Sequence, residues 1–159
     1  MIKLRDSVQS DIPWLASNIR KADLMEIEAA GNPDPYRAFE NGFGLSVPNA
    51  YTIVIDGIPA AMMGTSRPID PETKIGTVWM LGTQDLEKRP IAFLRHMKNN
   101  YLPILERGYD ALVNVIDSRN KLHIDFIKWL GFSIIRPIEM GDDKIKFYEF
   151  AKITNEGGS

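Results

Sequence analysis

VNVIDSRNKLHIDFIKWLGF, residues 113–132, decides how this chain is read. It closes a nearly continuous apolar run that begins at Tyr109, the pattern of a strand buried on both faces. Asn120 follows, a residue type strongly preferred at helix starts. The next nine residues are rich in apolar side chains, and Gly131 stands where a left-handed helix stop is wanted. The stretch therefore predicts a strand, a capped helix and a second strand, FSIIRPI.

Upstream, IAFLRHMKNNYLPILERG predicts a long helix with one apolar side, with Pro103 kinking or shortening its last turn. Before it, KIGTVWMLGT is rich in β-branched and aromatic residues, as a strand would be. Two strands joined by a long helix are expected to be parallel neighbours through a right-handed crossover. YTIVI, Asp56-Gly57 and IPAAMMG together form a hairpin signal, because Asp-Gly suits a type I′ turn. IKLRDS alternates as a short first strand, and Ser10 is a plausible cap for a helix through Ile12, Leu15 and Ile19. ADLMEIEAA predicts a second helix ending at Gly31. YRAFENG predicts one or two helical turns broken by Gly42 and Gly44. KIKFYEFAK pairs with FSIIRPI in a final hairpin. The order defines an α/β (α+β) chain with a mixed sheet and helices on both faces. Residues 1–152 read as one domain and 153–159 as a disordered tail.

Composition narrows the function. The 159 residues suffice for one well-buried core. A net charge of -2 gives no broad electrostatic reason to bind nucleic acid. With no cysteine and two histidines, thiolate chemistry is absent and a metal site is not expected. No apolar run is long enough to span a membrane, and the start carries no secretory signal, so a cytoplasmic protein is expected.

These pieces, in this order, resemble the GNAT family of acetyl-CoA-dependent N-acetyltransferases. IKLRDSVQSDIPWL is similar to the family's first strand and helix, the end of KIGTVWMLGT to its cofactor-contacting strand, and residues 113–132 to its strand, Asn, helix and closing Gly-Phe. A narrower resemblance is to the GNAT-like proteins of T7-like bacteriophages, the internal virion protein A group. That resemblance would place the chain in host cytoplasm or virion. The family resemblance implies a mostly antiparallel sheet whose central parallel strands splay apart. The gap receives the pantetheine arm as an added strand, and the diphosphate meets the next helix N-terminus. Met80, Leu81 and Gly82 are then expected beside the arm, Lys88 and Arg89 at the diphosphate, and Asn120 and Phe126 as further cofactor contacts. The acceptor would be an amine on a small molecule or a protein.

Two stretches depart from the family. Where its diphosphate loop has two internal glycines, this chain has Glu87-Lys88-Arg89-Pro90-Ile91-Ala92, and Pro90 lacks an N–H. Ile127 falls where many members carry a Tyr that protonates the leaving thiolate. Neither departure touches the core, so a second function stays open: a non-catalytic assembly or interaction protein with a phage or host protein partner. His123, one turn after Asn120, is a candidate general base or else a surface residue. Asn120 is a cap or a ligand. Trp79, Met80, Tyr101, Phe126 and Trp129 line a groove or fill the core. Lys88, Arg89, Arg95 and Lys98 form a phosphate strip or a solvated face.

Overall fold

The computed structural model describes residues 1–154. Seven strands form one sheet in the order β1-β2-β3-β4-β5-β7-β6. They are β1 (Ile2–Asp6), β2 (Ala50–Ile55), β3 (Ile58–Ser66), β4 (Ile75–Gly82), β5 (Ala111–Asp117), β6 (Ser133–Met140) and β7 (Ile145–Ile153). Neighbours are antiparallel except β4 and β5, which are parallel as the crossover rule requires. Asp56 and Gly57 both have positive φ, 51° and 83°, which gives the β2–β3 hairpin its type I′ turn.

Helices cover both faces. On one lie α1 (Ile12–Ser17), α2 (Lys21–Ala29) and α3 (Pro35–Ser46), where Ile12, Leu15, Phe39 and Met62 are fully buried beside Trp79 and Leu81. On the other lie α4 (Pro90–His96), α5 (Leu102–Glu106) and α6 (Lys121–Trp129), over a larger core that includes Met63, Phe93, Leu105, Leu112 and Ile116. Among the described residues, no helix is long and apolar enough to cross a membrane.

Two local expectations are corrected and a third takes a specific form. Gly42 and Gly44 do not break α3, which runs to Ser46. Each interior glycine costs a helix about 1 kcal/mol, but the Trp79 ring lies so close to Gly42 that a Cβ there would meet it at 2.8 Å. Tertiary packing outweighs propensity. Pro103 interrupts the α-winding of the long helix in a particular way: residues 97–101 widen into a π turn in which Leu102 N–H donates to Met97 C=O. The wider turn makes room for the proline ring, which would otherwise meet the carbonyl four residues back. Finally, residues 153 and 154 are part of the fold. Ile153 pairs with Ala111 in the sheet, and buried Thr154 donates its hydroxyl to Tyr109 C=O at 2.6 Å. Residues 155–159 lie outside the described residues.

The β6–β7 hairpin tip rests on the end of α2. Gly141 has φ 75°, and a Cβ on it would stand 2.7 Å from Ala29 C=O. Gly141→Ala is expected to lower stability by about 1–3 kcal/mol through left-handed strain and this clash. Urea unfolding of the variant measures it.

Candidate functional site

The β4–β5 ladder lasts three residue pairs, from Ile75–Ala111 to Thr77–Val113, and then the strands part. Alternate residues of a strand turn their backbone groups toward the same neighbour. On β4, Val78 C=O accepts from Asn114 Nδ2, and Gly82 N–H donates to Asp23 Oδ2 at 2.8 Å. Met80 lies midway between them, so its N–H and C=O face the same gap. On β5, Val115 N–H donates to Asn114 Oδ1 at 2.7 Å, and Asp117 N–H to Glu26 Oε1 at 2.9 Å. The carboxamide of Asn114 thus replaces one backbone rung at the floor of the gap.

Two carboxylates of α2 hold its far end. Asp23 and Glu26 are one helical turn apart on one face, and each accepts from a different splayed strand. Asp23 is fully buried and paired with Arg20 at 2.8 Å. Among the described residues, no Lys or Arg lies within ion-pair distance of Glu26. Burial pushes its carboxyl up to about 7, the Asp117 N–H opposes this, and the nearby charges of Asp23 and Asp117 add to it. Its second oxygen lies 3.8 Å from His123 Nδ1 on α6, across the strand ends. Burial lowers the His123 pKa, so the imidazole is neutral at pH 7.

A cavity of about 340 Å3 passes through the gap. Glu26, Ile27, Ala38 and Trp79 line it on the α2–α3 face, and Met80, Leu102, Phe126 and Leu130 on the α4–α6 face. The carboxylate of Glu26 therefore lines this cavity between α2 and His123 of α6.

Several residues singled out in the sequence converge here: Met80, Leu81, Phe126 and His123 all line the cavity, as does Trp79. His123 stacks on Phe126 at 6.0 Å between ring centroids, so it is a cavity residue and not a surface one. Others do not converge. Gly82 is buried, its N–H is taken by Asp23, and its C=O accepts from Arg20 N–H at 2.9 Å. Leu86 fills the space a Cβ would occupy there, so Gly82 presents no group to an arm. Asn120 is the N-cap of α6, accepting from His123 N–H at 3.2 Å. Its oxygen serves the helix and it does not line the cavity. Lys88 and Arg89 stand just before α4 as expected, but Lys88 pairs with Asp85 at 2.7 Å and Arg89 with Asp56 at 3.2 Å. Tyr101 is buried core. Trp129 lines a separate cleft with Arg95 and Lys98, whose ammonium lies 4.3 Å from the ring centroid. Ile127 is buried and cannot deliver a proton.

Glu26, Asp23 and Asn114 were not expected. The Glu26 contact with Asp117 spans 91 residues, and an acidic residue on a polar helix carries no local sign of such a partner.

No family model matches the chain, and no curated protein does. Solved structures do. An acetyltransferase of the GNAT family from Streptococcus pneumoniae is 12% identical over 98% of this chain and 100% of its own, with a TM-score of 0.69. A GNAT superfamily phosphinothricin acetyltransferase from Sinorhizobium meliloti, in complex with AcCoA, is 14% identical over 98% and 90%, with a TM-score of 0.73. The ribosomal-protein-S18-alanine N-acetyltransferase from Escherichia coli is 15% identical over 96% and 94%, with a TM-score of 0.67. The chain has the GNAT fold: one α/β domain whose mixed seven-stranded sheet contains one parallel pair.

Proposed function

We propose that this chain is an N-acetyltransferase that moves the acetyl group of acetyl-CoA onto an amine. The observation that carries the proposal is Glu26, a carboxylate with a pKa of about 7 lining the cavity between splayed parallel strands. A base titrating near the working pH is well matched to taking a proton from an amine.

Acetyl-CoA is the second substrate and supplies the acetyl group from its thioester. The open edge of β4 at Met80 suits an extended arm that pairs as an added strand. The Met80 N–H is the backbone donor aimed at the oxygen that gains charge during transfer. Phe126 and the Met80 side chain flank the arm. Glu26 takes the proton the amine loses as the C–N bond forms and the C–S bond breaks. His123, neutral and beside Glu26, passes that proton outward to solvent, and CoA leaves as its thiolate, which takes its proton from solvent. Residence in the cytoplasm, where acetyl-CoA is available, goes with this function.

The diphosphate contributes less than in a glycine-rich loop. Lys88 and Arg89 are exposed and already carboxylate-paired, so their pull on phosphate is reduced. Calorimetric titration with acetyl-CoA is expected to give micromolar binding, weakened less than about tenfold by Lys88→Ala with Arg89→Ala, because exposed pairs contribute about 0–1 kcal/mol each.

A second reading rests on the loop at residues 87–92, which lacks internal glycines, and on Ile127 in place of a proton donor. It makes the chain a non-catalytic interaction protein on the same scaffold, with a phage or host protein as partner. No heat at millimolar acetyl-CoA from folded protein would favour it over the transferase.

A further inference from the structure

Away from the splayed strands, α4 and α6 meet through Phe93 and Phe126, whose ring centroids are 6.0 Å apart. On their outer side a cleft of about 270 Å3 is lined by Ile91, Leu94, Arg95, Lys98, Asn99 and Trp129. Positions 91, 94, 95 and 98 recur at the spacing of one helix face, so the α4 wall of the cleft is a continuous stripe.

Two properties set this stripe apart from an ordinary solvated face. The first is bulky apolar surface left in water: Ile91 is 72% exposed and Trp129 46%. Leu122, two turns before Trp129 on the same face of α6, is 84% exposed. Apolar surface gathered in this way and rimmed by polar groups marks an interaction site. The second is cations without counter-ions. The exposed Arg95 guanidinium has no hydrogen bond or ion pair among the described residues, and Lys98 has only the face of Trp129. Nearby cations are otherwise held, Lys88 by Asp85, Arg89 by Asp56 and Lys152 by Glu106. The other charges of these helices outside ion pairs are Lys121, Lys128 and Asp125, and Glu87 precedes α4. None of those four lines the cleft. Cations thus outnumber carboxylates on this face, although the whole chain carries a net charge of -2.

An apolar notch with a basic rim is complemented by a bulky side chain flanked by carboxylates. We propose that the α4–α6 cleft docks an acidic peptide segment of a partner protein, with an aromatic or large aliphatic anchor beside Trp129 and carboxylates on Arg95 and Lys98. The guanidinium can grip one carboxylate bidentately. The ammonium, resting on the ring, keeps N–H donors for another. A second copy of this chain is the poorer occupant, because an isologous contact would press one basic face against another. An anionic bilayer is poorer too, since the anchor site is concave. The proposal does not depend on acetyl transfer and stands beside either reading of the central cavity.

The probe is an N-acetylated, C-amidated peptide with a central Trp-Leu pair flanked by four Glu on each side. Control peptides replace every Glu by Gln or by Lys, or the Trp-Leu pair by Ala-Ala. Binding is followed by nitrogen–proton correlation NMR of the intact chain. The acidic probe is expected to shift the Trp129 indole N–H and the amides of residues 91–99. Its affinity should exceed that of the Gln and Ala-Ala peptides by at least about fivefold, and fall as much in the variant carrying Arg95→Glu and Lys98→Glu, which alters exposed side chains only. No shift at Trp129 with millimolar probe overturns the proposal, as does equal binding of the Lys peptide. Full displacement of the probe by acetyl-CoA would give the cleft to the cofactor and overturn it as well. Sedimentation velocity of the chain alone and flotation with phosphatidylserine vesicles address the other occupants. Self-association or vesicle binding that is lost in Trp129→Ser and in the charge-reversed variant would replace the peptide by a second copy or a membrane, and the absence of both upholds the peptide.

Discussion

Glu26→Gln is expected to lower kcat by roughly 10²–10⁴-fold, the usual contribution of a positioned general base. Gln is nearly isosteric and keeps an oxygen for the Asp117 N–H, so the clamp between α2 and β5 survives. What disappears is a group able to accept a proton. In the native protein kcat/KM should rise through an apparent pKa near 7 as Glu26 ionises. In the variant that limb should vanish. A full rate loss with the limb still present would assign the pH dependence to another group, with His123 the nearest.

The same substitution separates catalysis from scaffolding through stability. The folded chain keeps the Glu26 proton up to about pH 7, whereas the unfolded chain releases it near 4.5. Between those values the folded state binds more protons, so the stability this group contributes is present below pH 4.5 and falls as pH rises to 7. At 1.36 kcal/mol per unit the whole change is about 3 kcal/mol. Glu26→Gln should therefore match the native protein near pH 4.5 and exceed it by about 1–3 kcal/mol at pH 8, read from urea midpoints. Less activity with more stability is the signature of a strained functional group. Loss of both at every pH would leave Glu26 as a strut only.

The parts legible from the sequence are those whose causes are local. Asp56-Gly57 announces its turn because positive φ is a property of those two residues, and Asn120 announces α6 because capping is settled within one turn. The parallel pair follows from two strand patterns bracketing a long helix. Gly42 misled because its neighbour in space is Trp79, far along the chain. Pro103 signalled the irregularity before it, but not that a π turn would absorb its ring. The resemblance aligned Gly82 and Asn120 with ligand contacts, yet here Asp23 occupies the first and α6 itself the second. Glu26 was invisible for the same reason: its pKa is made by α2 lying over the ends of β5, not by the residues beside it in sequence.

Asn114 puts the splay itself to the test. Its carboxamide donates to Val78 C=O and accepts from Val115 N–H, joining two strands at the point where their own ladder ends. Asn114→Ala removes both partners at once. A donor and an acceptor left unmet cost about 1–3 kcal/mol each, so the expected loss is about 2–6 kcal/mol, measured by chemical denaturation. The Val115 amide should also exchange with solvent faster than the amides of β5 that stay paired with β7. Asn114→Asp is the sharper variant. It preserves shape and still accepts from Val115, but it turns a carboxylate oxygen toward the Val78 carbonyl, where the native side chain offers a donor. The Asp variant should be at least as unstable as Ala above pH 6 and recover as the pH falls below its own pKa, when the carboxyl regains a proton to donate. If Asp and Ala were both as stable as the native protein, the gap would be held open by α2 alone, through Asp23 and Glu26, and the Asn114 rung would have no part in shaping the cavity.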